Sequence, residues 1–449
     1  MARLRRIPLA YQRDSSELFA KLRHLPNAVF LDSAAAYSEH GRFDIICADP
    51  EELFVLNTIN YVTKDKLLIE LESRLEQISC EYIPAPGLPF SGGALGYLSY
   101  EFGEMHSAKL LPSNNVSTQP LLYIGIYSWA VIIDHDRQHS ELIAQPHTCP
   151  RKLTALGELL TAQETTIKPS SAFKVSRDFG SSLNFEDYSR AFTKIKTYID
   201  AGDCYQINLT RAFYSQYQGD PWLAYLRLRE VAAAPFSAYM DAGGSQILCL
   251  SPERLLSAQQ GRLLTQPIKG TAARSLDAQE DMTLANTLQA SAKNRAENVM
   301  IVDLLRNDFS KSCQPDSVGT ERLCELQSFK TVHHLVSTIT GRLRNDCSAF
   351  SALLSCFPGG SITGAPKQRA MEIIREIEPH SRSVYCGSIF YLGAGGEMDS
   401  NIAIRSFVCE DGSITAWAGG GIVADSELNE EFVETETKIG KLLKALTDL

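Results

Sequence analysis

The 449 residues include eleven cysteines but no C-x-x-C pair, and the number is odd. This pattern offers neither a disulfide framework nor a structural zinc site. Cys249 and Cys409, set among apolar neighbours, read as reduced core thiols. The sequence has no run of the roughly 20 apolar residues that a membrane helix needs. Arg3, Arg5 and Arg6 form a basic cluster near the start, but no apolar segment follows it, so it reads as a solvated tail and not as a signal peptide. An excess of positive charge is missing too: the net charge is -10, which excludes a general nucleic-acid binder, because phosphate affinity comes mostly from clustered Lys and Arg. No internal repeat or low-complexity segment is visible. The remaining composition, 44% hydrophobic and 21% charged, is that of a soluble globular protein, here expected to be cytoplasmic. The length allows two or three domains or one large intertwined one.

Nucleotide signatures are also missing. Gly92-Gly93-Ala94-Leu95-Gly96-Tyr97 lacks the spacing of a dinucleotide loop and reads as close strand packing. In Pro358-Gly359-Gly360-Ser361-Ile362-Thr363-Gly364-Ala365-Pro366-Lys367, Ala365 stands where a Walker loop needs lysine. This stretch precedes an amphipathic helix at 368–377, with Pro366 suited to its first turn. A glycine-rich approach to a helix start leaves backbone N–H groups for an anion, here a carboxylate. Gly419, Gly420 and Gly421 offer a second set of backbone donors, and Arg405, expected in a strand at 402–407, a bidentate clamp. His333 and His334 have no metal-spaced partners, which favours a structural or acid/base histidine over zinc.

Residues 1–165 form one organisational unit. A helix is expected at 15–25, strands at 28–31 and 42–46, a helix at 64–78 and a strand region at 121–134. Residues 166–182, inside a Ser/Thr/Lys-rich stretch, make a linker or surface loop, and 183–449 form the second unit. The chain is organised around Gln266-Pro267-Ile268-Lys269-Gly270-Thr271, where Lys269 would stand at a strand end. It is either a surface lysine or a nucleophile whose burial frees the lone pair. Glu253, one probable hairpin earlier, either pairs with a surface cation or supplies an acid/base group beside it. One long helix is expected at 278–308, with Met300, Ile301, Leu304 and Leu305 as its apolar face. A second, capped by Ser426, places Glu427, Glu431, Glu434, Lys438 and Lys441 on one stripe. That stripe is a solvated face with Glu434–Lys438 pairing, or, if the two helices face each other, Glu297 and Glu434 suffice for Mg2+, which takes one or two carboxylates.

The second half resembles the chorismate-utilising enzymes, and among them the aminodeoxychorismate-forming branch. The resemblance rests on GDCYQINLTR at 202–211, APFSAYM at 234–240, LSPER at 250–254, PIKGT at 267–271 and RAENVMIVDLLRND at 295–308. It continues in HHLVSTI at 333–339, FPGGSITGAPKQRAMEII at 357–374, CGSIFYL at 386–392, AGGGIVADS at 418–426 and the E-x-x-E-x-x-x-K of 431–438. It extends more weakly over the residues before 180.

The resemblance implies an α+β fold: two large antiparallel β-sheets packed as a sandwich and surrounded by helices, with both parts of the chain interleaved in one core. It implies amination of chorismate at C4 to 4-amino-4-deoxychorismate, on the route to p-aminobenzoate and folate. Lysine in PIKGT marks that branch, where anthranilate synthases carry alanine. Lys269 would add at C2, with Glu253 as acid/base and His334 as a further active-site residue. Glu297 and Glu434, with Glu431 close by, would hold Mg2+. Gly270, Thr271, Gly364, Tyr391, Arg405, Gly419, Gly420, Gly421 and Lys438 would hold the substrate. Gln206 stands where isochorismate and salicylate synthases carry a water-activating lysine, which counts against those activities. Ala273 departs from the family's usual proline, implying a slightly looser loop. Phe30-Leu31-Asp32-Ser33 resembles the tryptophan-binding segment of the family, with Ser33, Arg42, Phe43, Pro235, Phe236 and Ser237 as its residues. Ammonia would come from a separate glutaminase subunit. The alternatives are an anthranilate synthase component I and a catalytically silent subunit that binds chorismate or tryptophan.

Overall fold

The computed structural model describes residues 3–37, 41–81, 87–105, 118–162, 171–176, 178–329 and 332–449. Their strands fall into two sheets of 13 and 10 strands, with antiparallel pairing throughout. The expected α+β architecture is present, with eleven α-helices among the described residues.

The larger sheet runs from Arg5–Leu9 through His139–Ala144, Trp129–Asp134, Phe43–Cys47 and Val29–Asp32 to Phe236–Asp241. It continues through Gln246–Ser251, Ser406–Glu410 and Ser413–Ile422 to Gln206–Gln218. The smaller sheet carries Ile268–Ala273, Val332–Arg342, Arg254–Gln259 and Ser388–Gly393 beside Gly93–Leu98, Leu122–Tyr127 and Glu52–Leu56. Each sheet therefore joins a block of early strands to a block of late ones, at Val29–Asp32 beside Phe236–Asp241 and at Gly93–Leu98 beside Ser388–Gly393.

Strand periodicity explains why so many strands are apolar at every position. In Trp129–Asp134, Ala130 and Ile132 join the core between the sheets, while Trp129, Val131 and Ile133 join a second core on the outer face. That outer face is covered by Ser16–Leu22, Pro150–Thr161, Pro221–Ala232 and Leu428–Thr447. Successive side chains point to opposite faces, so a strand covered on both reads as a continuous apolar run. Gly96 explains the glycine-rich strand as close packing: a Cβ there would stand 2.0 Å from the Tyr123 carbonyl oxygen.

Three local expectations are corrected. Arg5–Leu9 is an edge strand paired with His139–Ala144, not a solvated tail, and the Arg6 guanidinium forks onto the Glu141 carboxylate. The long helix breaks at Ser291 into Ala278–Ala290 and Ala292–Ser310, because Ser291 turns extended and its side chain accepts the Asn294 N–H as a cap. Of its proposed apolar face, Ile301 and Leu305 are buried and Met300 and Leu304 only partly so. The region 121–134 is two strands divided at Ser128. Residues 163–170 and 177 of the linker region lie outside the described residues.

Candidate active site

Ile268–Ala273 pairs antiparallel with Val332–Arg342. Lys269 stands opposite Leu335 and Thr271 opposite His334, so Gly270 is the extra residue of a β-bulge. Gly270 has φ +77, and a Cβ there would lie 2.9 Å from Leu288 Cδ1 and 3.0 Å from Asn294 Cγ. Glycine alone takes that conformation without strain, and the bulge re-aims the side chains beside it. Lys269 is half-buried and its Nζ donates to the Ser361 carbonyl at 3.3 Å. Glu253 is 6% exposed, and its Oε1 accepts from the Ser361 hydroxyl at 3.1 Å.

Burial pushes the Lys269 ammonium down, against the pull of Glu253, Glu297 and Glu434. Burial pushes the Glu253 carboxyl up, against the pull of Lys269. Both shifts favour a neutral amine beside a protonated acid, which is a nucleophile next to a proton donor. Ser361 was not among the residues singled out from the sequence. Its only sequence signal is its place in the glycine-rich stretch.

That stretch is used differently from expectation. Gly364–Ala365 pairs with Gln206–Ile207, and a Cβ at Gly364 would meet the Gln206 carbonyl oxygen at 2.0 Å. Its backbone is therefore divided between a 3-10 turn at Gly360–Ile362 and this two-residue strand pairing. Pro366 caps the helix Lys367–Ile377 from just outside instead of occupying its first turn. Lys367 is held by Asp308 and the Cys356 carbonyl.

The acidic helix spans Leu428–Thr447, and its cap position is Glu427, not Ser426. The Ser426 hydroxyl instead donates to Glu431 Oε1 at 2.6 Å. Glu431 is buried, and its Oε2 has no hydrogen-bond partner among the described residues. Burial pushes its carboxyl up, and Glu434 adds to this. A Cβ at Gly420 would stand 3.0 Å from Glu431 Oε2 and 3.8 Å from Glu434 Oε2, so the bare glycine backbone leaves these oxygens room. Glu434 pairs with Lys438 at 2.6 Å, and Lys438 donates to the Gly419 carbonyl at 2.9 Å. Glu297, on Ala292–Ser310, is close enough to Lys269 to act on its charge, as is Glu434. No three metal-ligating side chains cluster among the described residues. The donors present are carboxylate oxygens, one of them buried and unpartnered, which fits Mg2+ with one or two protein ligands.

Gly419–Gly421 lies in Ser413–Ile422, paired along one edge with Gln206–Gln218; its other neighbour, Ser406–Glu410, ends opposite Ala416. Gln206 stands beside Gly421, and neither of its amide atoms has a partner among the described residues. Arg405 is not in a strand: it has φ +52 between Met398–Asn401 and Ser406–Glu410. Burial pushes its guanidinium down, and no carboxylate among the described residues pairs with it, which suits a ligand carboxylate.

His334 lies inside Val332–Arg342, and its Nδ1 meets the Thr271 hydroxyl at 2.9 Å. Burial, then Arg405, pushes its imidazolium down to about 4, so the ring is neutral. His333 is structural, bonded to Ser328 and Asp281. Tyr391 packs edge-on to Phe90 in Ser388–Gly393. The structure thus gathers Lys269, Glu253, Glu297, Glu434 and Lys438 into one electrostatic neighbourhood. Thr271, His334 and Arg405 form an adjoining group.

The residues assigned to tryptophan lie on the larger sheet. Ser33 donates from its N–H and hydroxyl to Asp44, and Asp32 stands opposite Ser237 in the ladder. Arg42 lies over Phe43 and pairs with Asp134. Phe236 follows Pro235 and lies under Arg254.

Residues 58–444 match the model of the chorismate binding enzyme family. The chain is 40% identical over 452 residues to an aminodeoxychorismate synthase component 1 of Salmonella typhimurium, covering 98% of each. It is 33% identical over 444 residues to an anthranilate synthase component 1 of Saccharomyces cerevisiae, covering 94% of this chain and 87% of that one. Its fold matches anthranilate synthase component I of Streptococcus pneumoniae with TM-score 0.78 at 28% identity, over 90% of this chain and 92% of that one. No helix among the described residues is long and apolar enough to cross a membrane. Sheets, site and sequence agree: the chain is an enzyme of the chorismate-binding family.

Proposed function

We propose that this chain aminates chorismate at C4 to 4-amino-4-deoxychorismate, as an aminodeoxychorismate synthase component I. The observation that carries the reading is the Lys269–Glu253 pair, bridged by Ser361 and shifted by burial toward amine and acid. Nζ of Lys269 adds to C2 of chorismate, both ring double bonds shift round the ring toward C4, and the C4 hydroxyl leaves as water with the proton of Glu253. Ammonia then adds at C4, both double bonds shift back, and the lysine leaves C2. Arg405 and Lys438 neutralise the substrate's carboxylates. Glu297 and Glu434, with Glu431 behind them, would hold Mg2+, which when bound neutralises charge on the substrate. His334, neutral and tied to Thr271, positions that loop against the ring.

Ammonia comes from a separate glutaminase subunit, a reading supported by the component 1 names of the relatives. Tryptophan is a second ligand, bound near Ser33, Arg42, Phe43 and Pro235–Ser237. Calorimetry with tryptophan tests it, and absence of heat together with no tryptophan in the purified protein removes it. The reaction is tested by incubating purified chain with chorismate, Mg2+ and an ammonium salt at mildly alkaline pH and identifying the product. Aminodeoxychorismate supports the proposal. Anthranilate, isochorismate or no turnover contradicts it.

A further inference from the structure

Beside the helix Tyr100–Glu104 lies a cavity of about 20 Å³, room for one guest the size of a water molecule. Its walls carry more unpartnered acceptors than donors. Glu101 Oε1 accepts from the backbone N–H groups of Arg382 and Ser383 at 2.7 and 3.1 Å. Its Oε2 is buried without a hydrogen-bond partner among the described residues, and so are Glu104 Oε2, the Tyr100 hydroxyl, His380 Nδ1 and one donor, Arg375 Nη2. Glu101 is 8% exposed and Tyr100 2%.

The neighbours of His380 fix its tautomer. The Thr210 hydroxyl gives its one proton to Glu378 Oε1 at 2.8 Å, so it accepts from His380 Nε2 at 3.1 Å. Burial keeps the ring neutral. Nε2 therefore carries the hydrogen, and Nδ1 presents a bare lone pair.

Charge points the same way. Among the described residues lining the cavity, Glu101, Glu104 and Glu378 face two cations, Arg375 and Arg382. Arg382 is bound by Glu378, and Arg375 Nη1 forms an ion pair at 3.2 Å with Glu104 Oε2, which has no hydrogen bond of its own among the described residues. One negative charge is left over in a buried place, where an uncompensated charge is costly. A water would satisfy acceptors but not the charge. A cation of the same size does both.

We propose that the cavity between Tyr100, Glu101, Glu104 and His380 binds a water-sized monovalent cation, ammonium, whose four N–H donors match these acceptors. The choice of ammonium rests on the proposed amination; the cation site itself does not. Its place suits a store of the nucleophile. Arg382 donates from the cavity wall to the Ile362 and Asn208 carbonyls. The strand holding Thr210 and Asn208 also holds Gln206, beside Gly421, about 13 Å along at 3.3 Å per residue. Burial, then Glu101, pushes the Glu104 carboxyl up to about 7, eased by Arg375 and Arg382. Below that pH a proton takes the cation's place.

Crystals of the full chain soaked in a thallium(I) salt at pH 8 test this directly, because Tl+ scatters anomalously and is close to ammonium in size. The expected result is an anomalous peak in the cavity that excess ammonium removes. Absence of a peak at full soak overturns the site. A peak that potassium removes and ammonium does not overturns the assignment to ammonium. Glu104→Gln should abolish the peak and raise KM for ammonium about tenfold while KM for chorismate holds; unchanged ammonium KM contradicts the storage role. If that variant does not fold, the wild-type soak decides alone. A displaceable peak in a protein that forms no aminated product keeps the site and removes the function assigned above.

Discussion

Gly270→Ala tests whether the bulge aims Lys269. At φ +77 an alanine takes a left-handed conformation that costs about 1–2 kcal/mol. Its Cβ would also meet Leu288 Cδ1 at 2.9 Å and Asn294 Cγ at 3.0 Å. The leucine methyl can turn aside, but Asn294 sits in the first turn of Ala292–Ser310, whose cap is Ser291. Slippage of the strand does not relieve the strain. Ile268 and Lys269 are in register on one side of the bulge and Thr271 to Ala273 on the other. The variant should therefore lose roughly 2 kcal/mol and displace Lys269, and misplacement by as little as 1 Å can cost on the order of 100-fold in rate. Gly440 supplies the contrast: nothing lies within 4 Å of a Cβ there, inside Leu428–Thr447, so Gly440→Ala should gain up to about 1 kcal/mol. Thermal melts and turnover of both variants settle the matter. A Gly270→Ala protein with wild-type melting temperature and turnover refutes the argument.

Three further outcomes are expected. Ser361→Ala removes a hydrogen bond to the Glu253 carboxylate, worth about 1.5–3 kcal/mol; the Glu253 carboxyl should rise further, and because Glu253 acts as the proton donor the alkaline limb of the pH–rate profile should move to higher pH; an unmoved limb contradicts the role. His334 should stay neutral well below the ordinary value of about 6.5, because its folded value is depressed to about 4. Stability tied to its neutral ring is present above pH 6.5 and is lost as pH falls through 4, and an NMR titration midpoint near 6.5 would show the burial argument wrong. Arg229, 1% exposed, binds Asp32 at 2.7 and 3.1 Å and Asp14 at 2.6 Å; Arg229→Met strands a buried carboxylate and should cost about 3–5 kcal/mol in a chemical-denaturation series.

Local pattern carried much of the fold. The runs at 28–31 and 121–134 are strands covered on both faces, and that is visible as nearly continuous hydrophobicity; the strand begun at 42–46 buries Asp44 among Ser15, Ser33 and His135 instead. Pairings across hundreds of residues were not legible. Only the family resemblance, and no local pattern, groups Phe236 with the segment at Val29–Asp32 that its strand pairs with, and nothing near Arg382 announces its bonds to Glu378 and Asn208. Caps also misled: Ser426 fits a helix start by type, yet the buried Glu431 carboxylate takes its hydroxyl. At the site, Lys269 and Glu253 could be singled out by motif. Ser361, which joins them, could not be, because a serine among glycines has no spacing signal and its role arises only when distant segments meet. Gly270 was legible as a flexible position, but its work as a bulge depends on the register with His334.

The central claim is that Lys269 attacks the substrate, and its most direct measurement is intact-protein mass spectrometry of wild type and Lys269→Ala. Each is quenched after exposure to chorismate and Mg2+ with ammonia withheld, and each is also assayed with ammonium present. The account predicts a mass gain of chorismate less water, mapped to Lys269 in wild type and absent from the variant, with amination greatly reduced in the variant. A wild type without the adduct, together with a Lys269→Ala protein that aminates chorismate undiminished, would contradict it.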